Sequence, residues 1–275
     1  MTTKPTLSLA HATLLDVSPP DLVRIAADVG YDAVGLRLIP MGRPGEPRHV
    51  VAEQPELLRE TARALEDTGV RVLDVEVAQI RDDLDPRAYV PDFEVAAELG
   101  ARFVLTNVYT PDPAFAARAL AELCDLARPF GLSIALECVS FSNLTTVGDT
   151  IELVRASGRQ NASVLIDTLH FHSSRAPLGE LALLPPDRVQ YVHVCDGPRD
   201  IPEAPEDLRR IARAERLMPG EGGIDLAGML DHLPRDIVYA VEIQNPDRSR
   251  ALGAEGYARL AFEKTGRCLQ RLPAR

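Results

Sequence analysis

Between residues 132 and 246 the chain carries four apolar runs, and each closes on a polar side chain. LSIALE ends at Glu137, ASVLID at Asp167, VQYVH at His193 and IVYAVE at Glu242. Runs of five or six apolar residues that do not alternate with polar ones predict strands covered on both faces, as in a parallel sheet. Four similar runs precede them: residues 6–15 with His11, residues 31–40 with Arg37, residues 70–80 with a strand ending around Glu76, and residues 101–110 with Asn107.

Helical periodicity fills the intervals. Pro19, Pro20 and Asp21 read as a helix start and Gly30 as its stop; residues 56–69 end on another glycine. The segments 92–100, 113–131 and 146–158 follow, with a short helix at 177–186, helical mass at 205–217 and 223–234, and one long last helix over 250–272. The Gly/Pro-rich stretch 41–49 reads as a loop.

Eight strands alternating with helices, with no long linker, predict one domain over residues 1–275: a single α/β (β/α)8 TIM barrel of parallel strands inside a ring of helices. An open doubly wound sheet is the competing arrangement. No GxGxxG follows the first strand, so a dinucleotide-binding version is disfavoured.

Composition narrows the partners. The formal charge of −11 disfavours a polyanion, and the absence of Trp with 5% aromatics disfavours base stacking, so no nucleic acid is expected. No run approaches the roughly 18 apolar residues of a membrane span, and the opening MTTKPTLSLAHATLLD lacks the apolar stretch of a secretion signal. Cys124, Cys138, Cys195 and Cys268 form no CxxC pair and read as reduced thiols of a cytoplasmic protein.

In a parallel barrel all strands point their C-terminal ends at one mouth, so Glu137, Asp167, His193 and Glu242 are expected to converge. Three carboxylates gathered there repel unless a cation joins them. Three oxygen donors and one imidazole favour Mn²⁺, Mg²⁺ or Co²⁺, and Zn²⁺ is compatible. Such a site favours proton removal beside a carbonyl, with isomerisation, epimerisation or dehydration as outcomes. Arg37 could bind an anionic substrate group or pair with Glu76; Glu76 could be a base or that partner. His11 could face the pocket or pack beneath it.

At these residues the sequence resembles the xylose isomerase-like barrels, which include sugar isomerases and epimerases, inosose and dehydroshikimate dehydratases, and the AP endonuclease branch. The resemblance rests on ALE ending at Glu137, the Asp167-Thr-Leu-His170 motif, His193, LMPGEG at 217–222 and VEIQNP around Glu242. It implies Glu137, Asp167, His193 and Glu242 as metal ligands, with manganese foremost. Glu137 and Glu242 would also be the acid and base working through an enediolate. It implies that His170 holds a substrate oxygen and, on spacing from His193, that Arg199 contacts substrate. It implies a small sugar, polyol or hydroxy acid as partner, and a dimer or tetramer.

Two departures matter. Glu137 is followed by CVSFSN, where the ketose 3-epimerases carry a Pro-Leu-Asn-Arg type segment. The endonuclease branch places histidines on its middle strands and a DxH after the seventh; here Glu76 and Asn107 stand on those strands, and Asp196 has no histidine after it.

Overall fold

The computed structural model describes residues 4–42, 46–47 and 49–272. Eight parallel strands close on themselves in chain order, β1 pairing with β8. They are β1 (Leu7–Ala10), β2 (Ala33–Arg37), β3 (Arg71–Ile80), β4 (Phe103–Val108), β5 (Ser133–Glu137), β6 (Ala162–Asp167), β7 (Tyr191–Val194) and β8 (Val238–Val241). The helices around them are α1 (Pro19–Val29), α2 (Pro55–Thr68), α3 (Val90–Glu98), α4 (Pro113–Ala127), α5 (Val147–Ser157), α6 (Thr168–Ser173), α7 (Pro205–Ala214), α8 (Leu226–Asp231), α9 (Pro246–Leu252) and α10 (Ala254–Gln270). The expected barrel is therefore the observed one.

Local chemistry sets the helix ends. Ser18 caps α1 ahead of Pro19 and Pro20, and Gly30 ends it at φ 104°. Thr146 and Asp112 cap α5 and α4 through their side-chain oxygens.

Two apolar layers result. The larger lies between strands and helices. The smaller fills the barrel and includes Ala33, Phe103, Leu105, Ala135, Leu165, Tyr191 and Ala240. Side chains alternate between these layers along β4 to β8, whereas β3 is irregular, with register shifts against both neighbours. Two residues beyond Ala135, Leu165, Tyr191 and Ala240 stand Glu137, Asp167, His193 and Glu242. The same period that fills the barrel thus aims those four side chains at its mouth.

Three expectations need correction. The first strand stops at Ala10, and His11 opens a 3-10 turn, His11–Leu14. The third strand runs on past Glu76 to Ile80. The long last helix is two helices: Gly253 (φ 71°, ψ 159°) cannot continue a helical path, so α9 and α10 part there. Of the predicted 41–49 loop, Arg43, Pro44, Gly45 and Arg48 lie outside the described residues. All four cysteines are free. Among the described residues no helix is long and apolar enough to cross a membrane.

Candidate metal centre and active site

Glu137 and Asp167 are the last residues of β5 and β6, His193 is next to last in β7, and Glu242 follows β8. Each offers a donor atom, and these atoms lie within 4.8 Å of one another. Asp167 and His193 are fully buried, and Glu137 and Glu242 are 5% and 6% exposed. Metal bonds of about 2.0–2.2 Å hold ligands within ~4.4 Å of one another, so the cluster needs only slight contraction.

The surroundings orient each group. Glu137 Oε2 accepts from Asn107 Nδ2 at 2.9 Å. Asp167 Oδ1 accepts from the His170 amide, which caps α6. His193 Nδ1 stands 3.3 Å from Glu242 Oε2 and 3.5 Å from Glu137 Oε1. Neither ring nitrogen of His193 has a hydrogen-bond partner, although both are buried. Glu242 Oε2 is likewise unpartnered: Arg216 Nη2 lies 2.8 Å away but out of line for a hydrogen bond. Buried polar atoms of this kind are costly to leave unmet. Their convergence, with three carboxylates and one imidazole as donors, fits a hard or borderline divalent cation.

Charge within the cluster is already skewed. Burial would lift the Glu242 carboxyl, but Arg216 first and His193 next hold it well below the ordinary carboxylate range. Burial would depress His193; the Glu242 and Glu137 carboxylates outweigh it and hold the imidazole well above its usual value.

Arg216 is the functional-looking residue that the strand-tip pattern does not reveal. Its guanidinium donates to Asp167 Oδ2 at 2.6 Å and lies against Glu242. Its Nε is fixed by Ala212 O at 2.8 Å. It precedes the LMPGEG motif directly, so a cation placed between helix and motif was the available signal.

The other expected residues divide. His170 and Arg37 line the barrel-mouth cavity, an empty space of about 410 Å³, partly open to solvent, that Glu137, Glu242, Phe141 and Arg213 also border. His170 turns Nδ1 to Ser140 Oγ at 3.1 Å. Arg37 pairs with Glu76 at 2.8 Å and Glu46 at 3.3 Å, so the ion-pair alternative holds for both Arg37 and Glu76. His11 does not reach the cavity. Its Nδ1 accepts from the Arg37 amide at 3.0 Å and its Nε2 meets Val17 O at 2.8 Å, which occupies both ring nitrogens. Burial, partly countered by the Val17 hydrogen bond, lowers its pKa to about 3, so the ring is a neutral structural link. Arg199 also departs from expectation. It is exposed and borders a separate surface cavity with His172 and Arg175, because its backbone packs against Gly223. Two residues before Glu76 on β3, Asp74 is buried with both carboxyl oxygens unpartnered. Burial, then Glu76, pushes its pKa well up, which favours the neutral acid.

The glycines of PGEGG hold a carboxylate of the protein itself. Asp196 accepts from the amides of Gly197, Gly220, Gly222 and Ile224 at 2.9–3.1 Å. A Cβ on Gly222 would sit 2.1 Å from Gly197 O and 2.4 Å from Asp196 Oδ1. Gly222→Ala is therefore expected to cost about 2 kcal/mol or more, within or above the overpacking range. It should also loosen metal binding through Arg216, and denaturant melts with a metal titration check both. Glu221 in the same turn pairs with Arg248 and with Lys264 (3.1 Å), and those partners, Arg248 first, lower its pKa to about 2. It braces the turn against α9 and α10.

The sequence profile of the family described as "Xylose isomerase-like TIM barrel" matches residues 23–261. An inosose isomerase of Bacillus velezensis is 28% identical over 202 residues, 67% of this chain and 70% of that protein. A 3-dehydroshikimate dehydratase of Pseudomonas aeruginosa is 31% identical over 144 residues, 50% of this chain but 22% of that protein. The solved structure of the IOLI protein with a bound zinc atom superposes with a TM-score of 0.82 at 22% identity, covering 98% of this chain and 100% of that one. That likeness is one of fold.

Proposed function

The chain belongs to the xylose isomerase-like TIM barrel family, and on that footing we propose that it is a divalent-metal-dependent isomerase or epimerase of a small sugar or polyol, working through an enediolate. The observation that carries this reading is the convergence of Glu137, Asp167, His193 and Glu242 within 4.8 Å at the barrel mouth. These four would hold the ion, Mn²⁺ foremost given three oxygen donors, with Mg²⁺, Co²⁺ or Zn²⁺ as alternatives. When bound there, a divalent ion polarises a carbonyl and acidifies the adjacent C–H.

The chain's own residues supply the rest. Glu242, which Arg216 and His193 hold ionised, is in the form that accepts a proton. Glu137 stands on β5, three strands from β8 around the barrel, with one oxygen fixed by Asn107. Removal of a proton by one glutamate and delivery of a proton by the other, starting protonated, to the opposite face of the same carbon epimerises the substrate; delivery to the neighbouring carbon, with the hydroxyl proton passed to the former carbonyl oxygen, isomerises it. His170 orients a substrate oxygen. Phe141 and Arg213 border the cavity.

The likeness to a 3-dehydroshikimate dehydratase supports a second reading, loss of a β-hydroxyl as water after the same deprotonation. Chelator-stripped protein, reloaded with Mn²⁺, should turn over at least one member of a panel of ketoses, inososes and 3-dehydroshikimate. A new ultraviolet enone band would assign dehydration, and its absence during turnover isomerisation. A panel inert at every metal loading would end both readings.

A further inference from the structure

We infer that the substrate of this cavity carries a carboxylate, and that Arg213 is the residue that selects it. The inference deepens the functional reading above and rests on it for calling the cavity a substrate pocket.

Three guanidiniums border the cavity: Arg37, Arg213 and Arg216. Two are matched by acids of the protein, Arg37 by Glu76 and Glu46, Arg216 by Asp167 and Glu242. Arg213 is not. No carboxylate among the described residues lies within ion-pair distance of it, and its Nε is buried without a hydrogen-bond partner. Arg209, one turn earlier on α7, also has no such acid, and both guanidiniums lie over the Phe141 ring at 5.3–5.4 Å. Like charges four residues apart on a helix repel. The Phe141 face offsets part of this, and the Tyr109 hydroxyl meets Arg213. Burial, with Arg209 and Arg37 as like-charged neighbours, still weighs against the Arg213 proton. Arg213 is thus a half-buried cation at the rim of a polar cavity with no acid of the protein to match it, and an anionic ligand group would supply that match. The planar fork of arginine fits a carboxylate with two parallel N–H donors.

The test is calorimetric titration of the Mn²⁺-loaded protein with quinate, a carboxylated cyclic polyol, and with myo-inositol, its uncharged counterpart. Quinate should bind about tenfold or more tightly than myo-inositol. Arg213→Gln should remove most of that preference and leave the affinity for myo-inositol within about twofold; Arg213→Lys should keep part of it. Arg209 lies outside the cavity lining, so Arg209→Gln should have a smaller effect. Equal affinity for the two polyols in the native protein would overturn the inference. So would equal weakening of both in Arg213→Gln, which marks a structural role, or tighter binding of glycerol phosphate than of quinate. Binding is read without turnover, so an inert substrate panel would sink the proposed reaction and leave this preference measurable.

Discussion

Glu137→Gln and Glu242→Gln should each reduce turnover by about 10²–10⁴-fold or more, the range that a positioned acid or base contributes. The barrel should stay folded in both. Glutamine keeps the shape of glutamate and can still accept from Asn107 or lie against Arg216, but it cannot take up a proton. It is also a poorer partner for a divalent ion, so each variant loses proton transfer and part of the metal's hold together. The two effects separate on a metal titration: at saturating Mn²⁺ the loss through weak metal binding is recovered and the loss through proton transfer is not. Steady-state rates with thermal melts are sufficient. Native-like turnover in either variant at saturating metal would remove that glutamate from the proton path.

The second large effect concerns Arg216. It is buried, 3% exposed, between Asp167 and Glu242. Removing one member of a buried ion pair costs about 3–5 kcal/mol, because the other charge is left uncompensated. Arg216→Met should therefore destabilise the metal-free protein by about that amount. A divalent ion neutralises the same carboxylates, so metal should rescue the variant by more than it stabilises the native protein. Melts with chelator and with Mn²⁺ give the four values needed. An equal loss in both conditions would mean that Arg216 only packs.

The strand tips were legible because the βα repeat places each C-terminal end at one mouth, and a charged residue after five apolar ones has few other places to go. Glu137, Asp167, His193 and Glu242 meet for that reason. Arg216 was not legible in the same way. It belongs to no strand, and its reach to Asp167 depends on how α7 and the LMPGEG turn pack, which no periodicity encodes. Arg199 shows the converse error. A fixed spacing from His193 does not fix direction once the chain has left the strand, and Gly223 lets its backbone pass on another side. The sequence left the direction of His11 open; β1 is only four residues long, so the ring falls in a turn where Arg37 and Val17 use both nitrogens. The break at Gly253 was visible as a residue but not as a conformation; helical patterning continues through it.

The central claim is that one divalent ion is shared by four strand tips, and equilibrium dialysis of chelator-stripped protein against Mn²⁺ tests it most directly. The native chain should take up one ion per molecule, and Asp167→Asn and His193→Gln should each weaken uptake by about tenfold or more, at least as much as the loss of a group that only supports a ligand. Absence of saturable uptake, or uptake unchanged in both variants, would contradict the account.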